Sequence, residues 1–243
     1  MTVEESDVKL AARLASEAGA LLLALQRSNE LTGKALGNQG DAIANSFLMK
    51  ALRELRPDDA LLSEEEADNA LRLSAKRVWI IDPLDGTREY SEGRSDWAVH
   101  VALAINGIAT VGAVALPGLD ITLSSGAPLP TPPANAPLKM VVSRTRPAAE
   151  ALVVAKALGA DLLPMGSAGA KAMAVVRGEA DIYLHSGGQY EWDNCAPVAV
   201  AQAAGLHVSR LDGSPMRYNN EDTYLPDILI CRAELAQKIL GMI

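Results

Sequence analysis

The sequence predicts an α/β protein built in two halves that meet near residue 130. Three observations predict it. Leucines at helical spacing open the chain, two strand-like runs joined by Asn106-Gly107 mark antiparallel pairing in the first half, and beyond a proline-rich stretch strands alternate with helices. At 243 residues the chain is near the size where one core stops growing, which suits two packed halves.

Taken in order, Leu10, Leu14, Leu21, Leu22 and Leu25 predict an amphipathic helix over about residues 6–27, with Ser6 as its cap. A second helix is expected over about 41–55, ending before Pro57. Strands follow at 60–62, 77–81, 97–105, 108–116 and 121–123, and Asn106-Gly107 between two of them is hairpin chemistry. Residues 128–137, PLPTPPANAP, carry five prolines in ten positions and read as a connection, since proline cannot donate to a ladder or a helix. After it come a strand at 138–143, a helix at 148–158, a strand at 161–165, a helix at 167–178 and a strand at 181–185. A helix at about 194–204, a strand at 227–231 and a helix at 233–242 finish the chain. The division expected is 1–130, an α+β half holding most candidate acids, and 131–243, an α/β half holding Asp193 and substrate-side residues.

Composition narrows the function. Aromatic residues are only 4% of the chain, leaving few stacking platforms, and the net charge of −8 is wrong for a phosphate-backbone binder, so no nucleic-acid polymer is expected as partner. The two cysteines, Cys195 and Cys231, suit reduced buried thiols. His100, His185 and His207 are scattered, without zinc spacing. The acidic N-terminus is unlike a signal peptide and ALLLAL is too short to span a bilayer, so a cytoplasmic protein with no membrane partner is expected.

The chemistry concentrates in WIIDPLDGT, residues 79–87, where an apolar strand delivers Asp82 and Asp85 onto turn residues. Two carboxylates about 4 Å apart repel by roughly 4 kcal/mol at an effective dielectric near 20. They must share a proton, splay into water or hold a cation, and hard divalent ions prefer oxygen ligands. SEEEAD at 63–68 and Asp193 at the start of an apolar helix are the other candidate acids. Standing alone, they read as a solvated charge run and a helix cap.

Together SEE, WIIDPLDGT, GSAGAKAMAVVRGEADIY and WDNCAP resemble the inositol monophosphatase superfamily, from the first helix to the last. VVSRTRP and GSAGAK are most similar to its bisphosphate nucleotidase branch. The resemblance implies a layered αβαβα sandwich and a magnesium-dependent, lithium-sensitive phosphomonoesterase using a metal-activated water, with two or three Mg²⁺ per site. The substrate implied is the 3'-phosphate of 3'-phosphoadenosine 5'-phosphate (PAP). Its sulfated analogue PAPS, inositol 1-phosphate and fructose 1,6-bisphosphate remain alternatives. By the same resemblance Glu64, Asp82 and the Leu84 carbonyl hold one metal, and Asp82, Asp85 and Asp193 a second. Thr87 orients the nucleophilic water with Asp41, Glu64 belongs with them as a catalytic residue, and the Gly86 and Thr87 N–H groups meet the phosphate. Ser143, Arg144, Arg146 and Lys171 are implied on the substrate side, with Arg146 standing where the branch carries histidine. Homodimerisation is a further expectation.

Two other classes stay open. A haloacid-dehalogenase-type phosphatase also ends a strand in aspartates, but there they stand two residues apart rather than three. A non-catalytic phosphometabolite-binding protein would need the same acids. An EF-hand calcium loop fits poorly because its D-x-D-x-D-G spacing is absent.

Overall fold

The computed structural model describes residues 5–127 and 133–243, so the expected connection is seen only from 133 onward. The first layer is two long helices, α1 (Asp7–Ser28) and α2 (Gly33–Leu55). Ser6 takes the N-cap position of α1 without a side-chain bond. α2 begins at Gly33, eight residues before the expected start. Gly37 and Gly40 look like breakers in the sequence, yet they sit where the helix meets residues 84–91: a Cβ on Gly37 would run into Ser91 and Thr87, and one on Gly40 into Tyr90 and Leu84. Close packing, which a single sequence does not display, keeps these glycines inside a helix.

The second layer is a sheet of β1 (Ala60–Ser63), β2 (Arg77–Asp85), β3 (Ala98–Ile105), β4 (Ile108–Leu116) and β5 (Ile121–Ser124), in chain order across the sheet. β1 and β2 are parallel and the remaining pairs antiparallel. Asn106 and Gly107 both have positive φ, 51° and 76°, as the hairpin between β3 and β4 requires. The one-turn helix α3 (Thr87–Ser91) follows β2.

The second sheet contains β6 (Lys139–Ser143), β7 (Asp161–Met165), β8 (Ile182–Tyr190), β9 (His207–Ser209) and β10 (Tyr224–Cys231), ordered β7-β6-β8-β10-β9. β9 was not anticipated; at three residues it is too short to show a period. α4 (Ala149–Leu158) and α7 (Ala236–Leu240) cover its outer face, while α5 (Ala168–Val176) and α6 (Glu191–Ala203) lie between the sheets. The last helix is shorter than expected, because residues 233–235 form a 3-10 turn.

The result is five layers, αβαβα, and the hydrophobic core divides accordingly. One cluster joins α1 and α2 to the first sheet through Leu14, Leu48, Trp79 and Val101. A central cluster packs α5 and α6 against both sheets, and a third joins α4 and α7 to the second sheet. Cys195 and Cys231 are buried free thiols.

Candidate metal-centred site

β2 does not end where the apolar run stops. It continues through Asp85, and Pro83-Leu84 form a bulge: Asp82 faces His100 and Asp85 faces Ala98, so three steps on β2 match two on β3. A bulge accepts proline, lacking its N–H, and bends the strand so that neighbouring side chains are re-aimed. Gly86, at φ 92°, then turns the chain into α3.

Asp82 and Asp85 end up in opposite environments. Both are buried. Asp82 Oδ1 accepts the Leu84 N–H at 3.0 Å, but Oδ2 has no partner. Burial first, then the charges of Glu64, Asp85 and Asp193, push its carboxyl well above the usual range. Asp85 Oδ2 accepts Ser167 Oγ and the Gly169 N–H, each at 2.6 Å, and Oδ1 accepts the Ala168 N–H at 3.1 Å. Asp85 thereby caps the first turn of α5. His100 Nε2 stands 3.2 Å from Asp85 Oδ2, an ion-pair contact without hydrogen-bond alignment. Burial opposes ionisation of Asp85. The His100 contact and these donors outweigh it and hold the carboxyl down at about 2.

Asp193 arrives from the other side. α6 starts at Glu191 rather than near 194, so Asp193 lies in the third position of the helix instead of before it, and Pro197 falls in the second turn. The Asp193 carboxylate accepts the Tyr190 N–H at 2.6 Å. Burial, then the Asp85 charge, raise it to about 7. Oxygens of Asp82, Asp85 and Asp193 lie within 4.8 Å of one another. Glu64, in the turn after β1, is open to solvent along one side. Its carboxyl is nonetheless raised to about 7 by the protein crowding it and by Asp193.

Thr87 Oγ1 lies 3.1 Å from the Leu84 carbonyl and 3.4 Å from Asp41 Oδ1 on α2. Its one proton serves either acceptor in turn. Burial and then the Glu65 charge raise Asp41 to about 7, against the Thr87 hydrogen bond.

The substrate-side candidates are more scattered. Lys171 is buried, with Nζ donating to the Gly166 carbonyl and, at 2.8 Å, to the Ser167 carbonyl. Burial lowers its pKa. Arg144 donates to Glu89 at 2.8 Å and to Glu92 at 2.9 Å, and Ser143 Oγ accepts the Arg146 N–H at 3.2 Å. Arg146 is exposed, its guanidinium beside Gly188.

Sequence reasoning passed over His100, which is fully buried with Nδ1 3.0 Å from the Trp192 carbonyl. Nδ1 faces the Trp192 carbonyl and Nε2 the Asp85 carboxylate. Burial works against a charged ring, but Asp85 outweighs it and raises the pKa. A Cβ on Gly169 would overlap His100 Nε2, so the α5 glycine makes room for the ring. Ser167, expected inside the helix, instead caps it: its Oγ accepts the Ala170 N–H at 2.9 Å while donating to Asp85.

A buried carboxylate oxygen with no hydrogen-bond partner, crowded by three other acids, fits a hard divalent cation bound through oxygen. A layered α/β architecture with a carboxylate centre on a bulged strand end is the class defined here, one whose acids could hold an oxygen-ligated cation. The chain belongs to the inositol monophosphatase family, whose sequence profile matches residues 4–241. That family is in general magnesium-dependent. It is 50% identical to a 3'-phosphoadenosine 5'-phosphate phosphatase of Mycobacterium leprae, over 99% of this chain and 94% of that protein. It is 31% identical to the 3'(2'),5'-bisphosphate nucleotidase CysQ of Escherichia coli K12, over 76% of this chain and 80% of that one. The fold matches the crystal structure of CysQ from Bacteroides thetaiotaomicron with TM-score 0.77 and 23% identity, over 92% of this chain and 96% of that one.

Proposed function

We propose that this chain is a magnesium-dependent phosphomonoesterase that removes the 3'-phosphate of PAP. The observation that carries the reading is half identity, across nearly the whole length, to a protein named for that activity. The carboxylate centre supports it. Glu64, Asp82, Asp85, Asp193 and the Leu84 carbonyl would hold Mg²⁺. Bound Mg²⁺ neutralises phosphate oxygens, lowers the pKa of water and stabilises the departing alkoxide.

The protein's own groups do the rest. Asp85, fixed by Ser167, Ala168 and Gly169, is held as an ionised ligand, and Oδ1 is its oxygen with a lone pair to spare. The attacking water donates to Thr87 Oγ1, whose own proton turns from the Leu84 carbonyl to Asp41. With its pKa raised to about 7, Asp41 is poised to accept a proton near neutrality. The Gly86 and Thr87 N–H groups face the phosphate oxygens in this reading, and Lys171 holds the Gly166–Ser167 carbonyls rather than the nucleotide.

Phosphate release from PAP, inositol 1-phosphate and fructose 1,6-bisphosphate, measured with Mg²⁺ and with and without lithium, tests the proposal. A large preference for PAP, suppressed by lithium and lost in Asp82→Asn, is expected. Equal or faster turnover of the sugar or inositol phosphates would overturn the substrate. A phosphoenzyme trapped at Asp82 would overturn the mechanism.

A further inference from the structure

The turn of α5 that supplies donors to Asp85 must itself be held, and a loop that no sequence motif marks holds it. Gly166 and Ser167 open that turn, and all four of their backbone polar groups have partners. The Gly166 N–H donates to Asp96 Oδ2 at 2.8 Å and the Ser167 N–H to the Asp96 carbonyl at 3.3 Å. Lys171 Nζ donates to both carbonyls. Asp96 lies in the loop between α3 and β3, two residues before Ala98, which faces Asp85 across the sheet. A two-pronged contact with Arg94 orients its carboxylate, Nε to Oδ1 at 2.7 Å and Nη2 to Oδ2 at 2.9 Å. Burial works against the charge of Asp96, but Arg94 and the Gly166 N–H outweigh it and hold the carboxyl below its usual range. On the α3 side Glu89 presses so closely that a Cβ on Gly166 would overlap its Cγ.

We propose that Asp96 is a positioning residue for the carboxylate centre: its bond to Gly166 sets Ser167, and through Ser167 the orientation of Asp85. The proposal rests on the reading of Asp85 as a metal ligand. The linkage runs from Asp96 Oδ2 to the Gly166 N–H, then from Ser167 Oγ to Asp85 Oδ2 at 2.6 Å. The same turn aims the Ala168 and Gly169 N–H groups at Asp85. Ser167 also accepts the Ala170 N–H, so its hydroxyl meets both partners only if the backbone before it is fixed. Partners that orient a metal ligand from behind are commonly worth about 10–100-fold in metal affinity. Arg94 orients the Asp96 carboxylate; the bond to Gly166 is the one that reaches the site.

Titration calorimetry with Mn²⁺, and hydrogen exchange at Ala168 and Gly169 in chelator, test the proposal on Asp96→Ala, Asp96→Asn and Arg94→Ala. Asp96→Ala is expected to weaken Mn²⁺ binding about tenfold and to speed exchange of the two amides that donate to Asp85. Asp96→Asn keeps an oxygen for the Gly166 N–H and should recover most of both, and Arg94→Ala, which leaves that bond in place, should bind Mn²⁺ nearly as wild type does. In a Ser167→Ala background the loss caused by Asp96→Ala should shrink, because the residue it acts through is gone. Wild-type Mn²⁺ affinity in Asp96→Ala, or full additivity with Ser167→Ala, overturns the proposal. Losses in Asp96→Asn and Arg94→Ala equal to that in Asp96→Ala assign the effect to the ion pair and overturn it as well. If Asp96→Ala does not fold, Asp96→Glu takes its place, keeping the charge beside Arg94 while moving the oxygen off Gly166. If wild type binds no Mn²⁺, the metal-ligand reading of Asp85 has failed. Exchange at Ala168 and Gly169 then decides the positioning alone: faster in the variant upholds it, and unchanged overturns it.

Discussion

The part of the site around Asp85 and the part around Asp82 are three residues apart on one strand and solve opposite problems. Around Asp85, the first turn of α5, Ser167 and His100 supply donors and positive charge, and the carboxylate is finished by protein alone. Around Asp82, carboxyl groups from β1's turn, β2 and α6 converge with two backbone N–H donors among them, from Leu84 and Tyr190, an arrangement that could hold a cation. The difference teaches how a metal site is preorganised. In the proposed reading one ligand would be locked by hydrogen bonds, and the others left in mutual opposition that an ion would relieve.

Exchanging the two carboxylates separately breaks that comparison most sharply. Asp82→Asn is expected to lower PAP turnover about 10³-fold, the equivalent of roughly 4 kcal/mol of lost transition-state stabilisation. It should also raise the melting temperature of metal-free protein, because the amide is neutral without the proton that burial and the surrounding acids force onto the Asp82 carboxyl. Asp85→Asn should lower turnover too, yet destabilise the metal-free protein by roughly 2 kcal/mol, because four contacts favour its ionised form. Thermal unfolding in chelator checks both, and shifts of the same sign would show that the two halves are not opposed.

The pH response carries the same signature. Asp41, Glu64 and Asp193 are raised to about 7, so in the folded state each keeps a proton that the unfolded chain has lost. Their contribution to stability is fully present below about pH 4 and is lost as pH rises through about 7. Metal-free protein should therefore melt at progressively lower temperature across that window. The stabilisation added by Mg²⁺ should grow over it, since the ion takes deprotonated ligands. A Mg²⁺ increment independent of pH would contradict the proposed role of Glu64 and Asp193 as cation ligands.

His100 sharpens the comparison from the protein-finished side. It touches Asp85 with one nitrogen and the Trp192 carbonyl, next to Asp193, with the other, and so joins β2 to the start of α6. His100→Asn is expected to weaken Mn²⁺ binding and turnover about 10–100-fold, with His100→Gln recovering part by reaching Asp85. Unchanged Mn²⁺ affinity would reduce His100 to a packing residue.

How much of this was legible follows from where the information lies. Hairpin and strand periods are local, so β4 and the hairpin before it read directly, and Asp82 and Asp85 stood out because two acids on one strand-end turn are chemically costly, whereas Asp193 joined them only through the family resemblance. What stayed hidden is non-local. The early start of α2 depends on glycines pressed against residues 84–91, and the length of β2 depends on β3 tolerating a bulge. His100 sits in an apolar strand with no motif. Its surroundings exist only because β2 sets Asp85 beside it and α5 sets Gly169 against its ring. Arg144 looked like a ligand residue by position, and only the fold reveals Glu89 and Glu92 around it.

The smallest effect tests whether the two parts are mechanically joined. Within residues 64–76, Arg72 is buried, held by Asp68 at 2.6 and 2.7 Å and donating to Asn219 Oδ1 at 2.8 Å. Asn219 returns a bond to the Arg72 carbonyl at 2.9 Å, and its N–H reaches Glu191, the first residue of α6, at 2.7 Å. The turn carrying Glu64 is thus tied to the helix carrying Asp193. Asn219 has φ 62°, so Asn219→Gly keeps the backbone and removes only the side-chain bonds. Hydrogen exchange over 68–74 should speed up, and Mg²⁺ affinity should fall about 3–10-fold, on the scale of one or two lost hydrogen bonds. Faster exchange with unchanged affinity would mean that the strut steadies the loop without positioning Glu64. Unchanged exchange would mean that Asp68 and the β1 turn hold the loop without it.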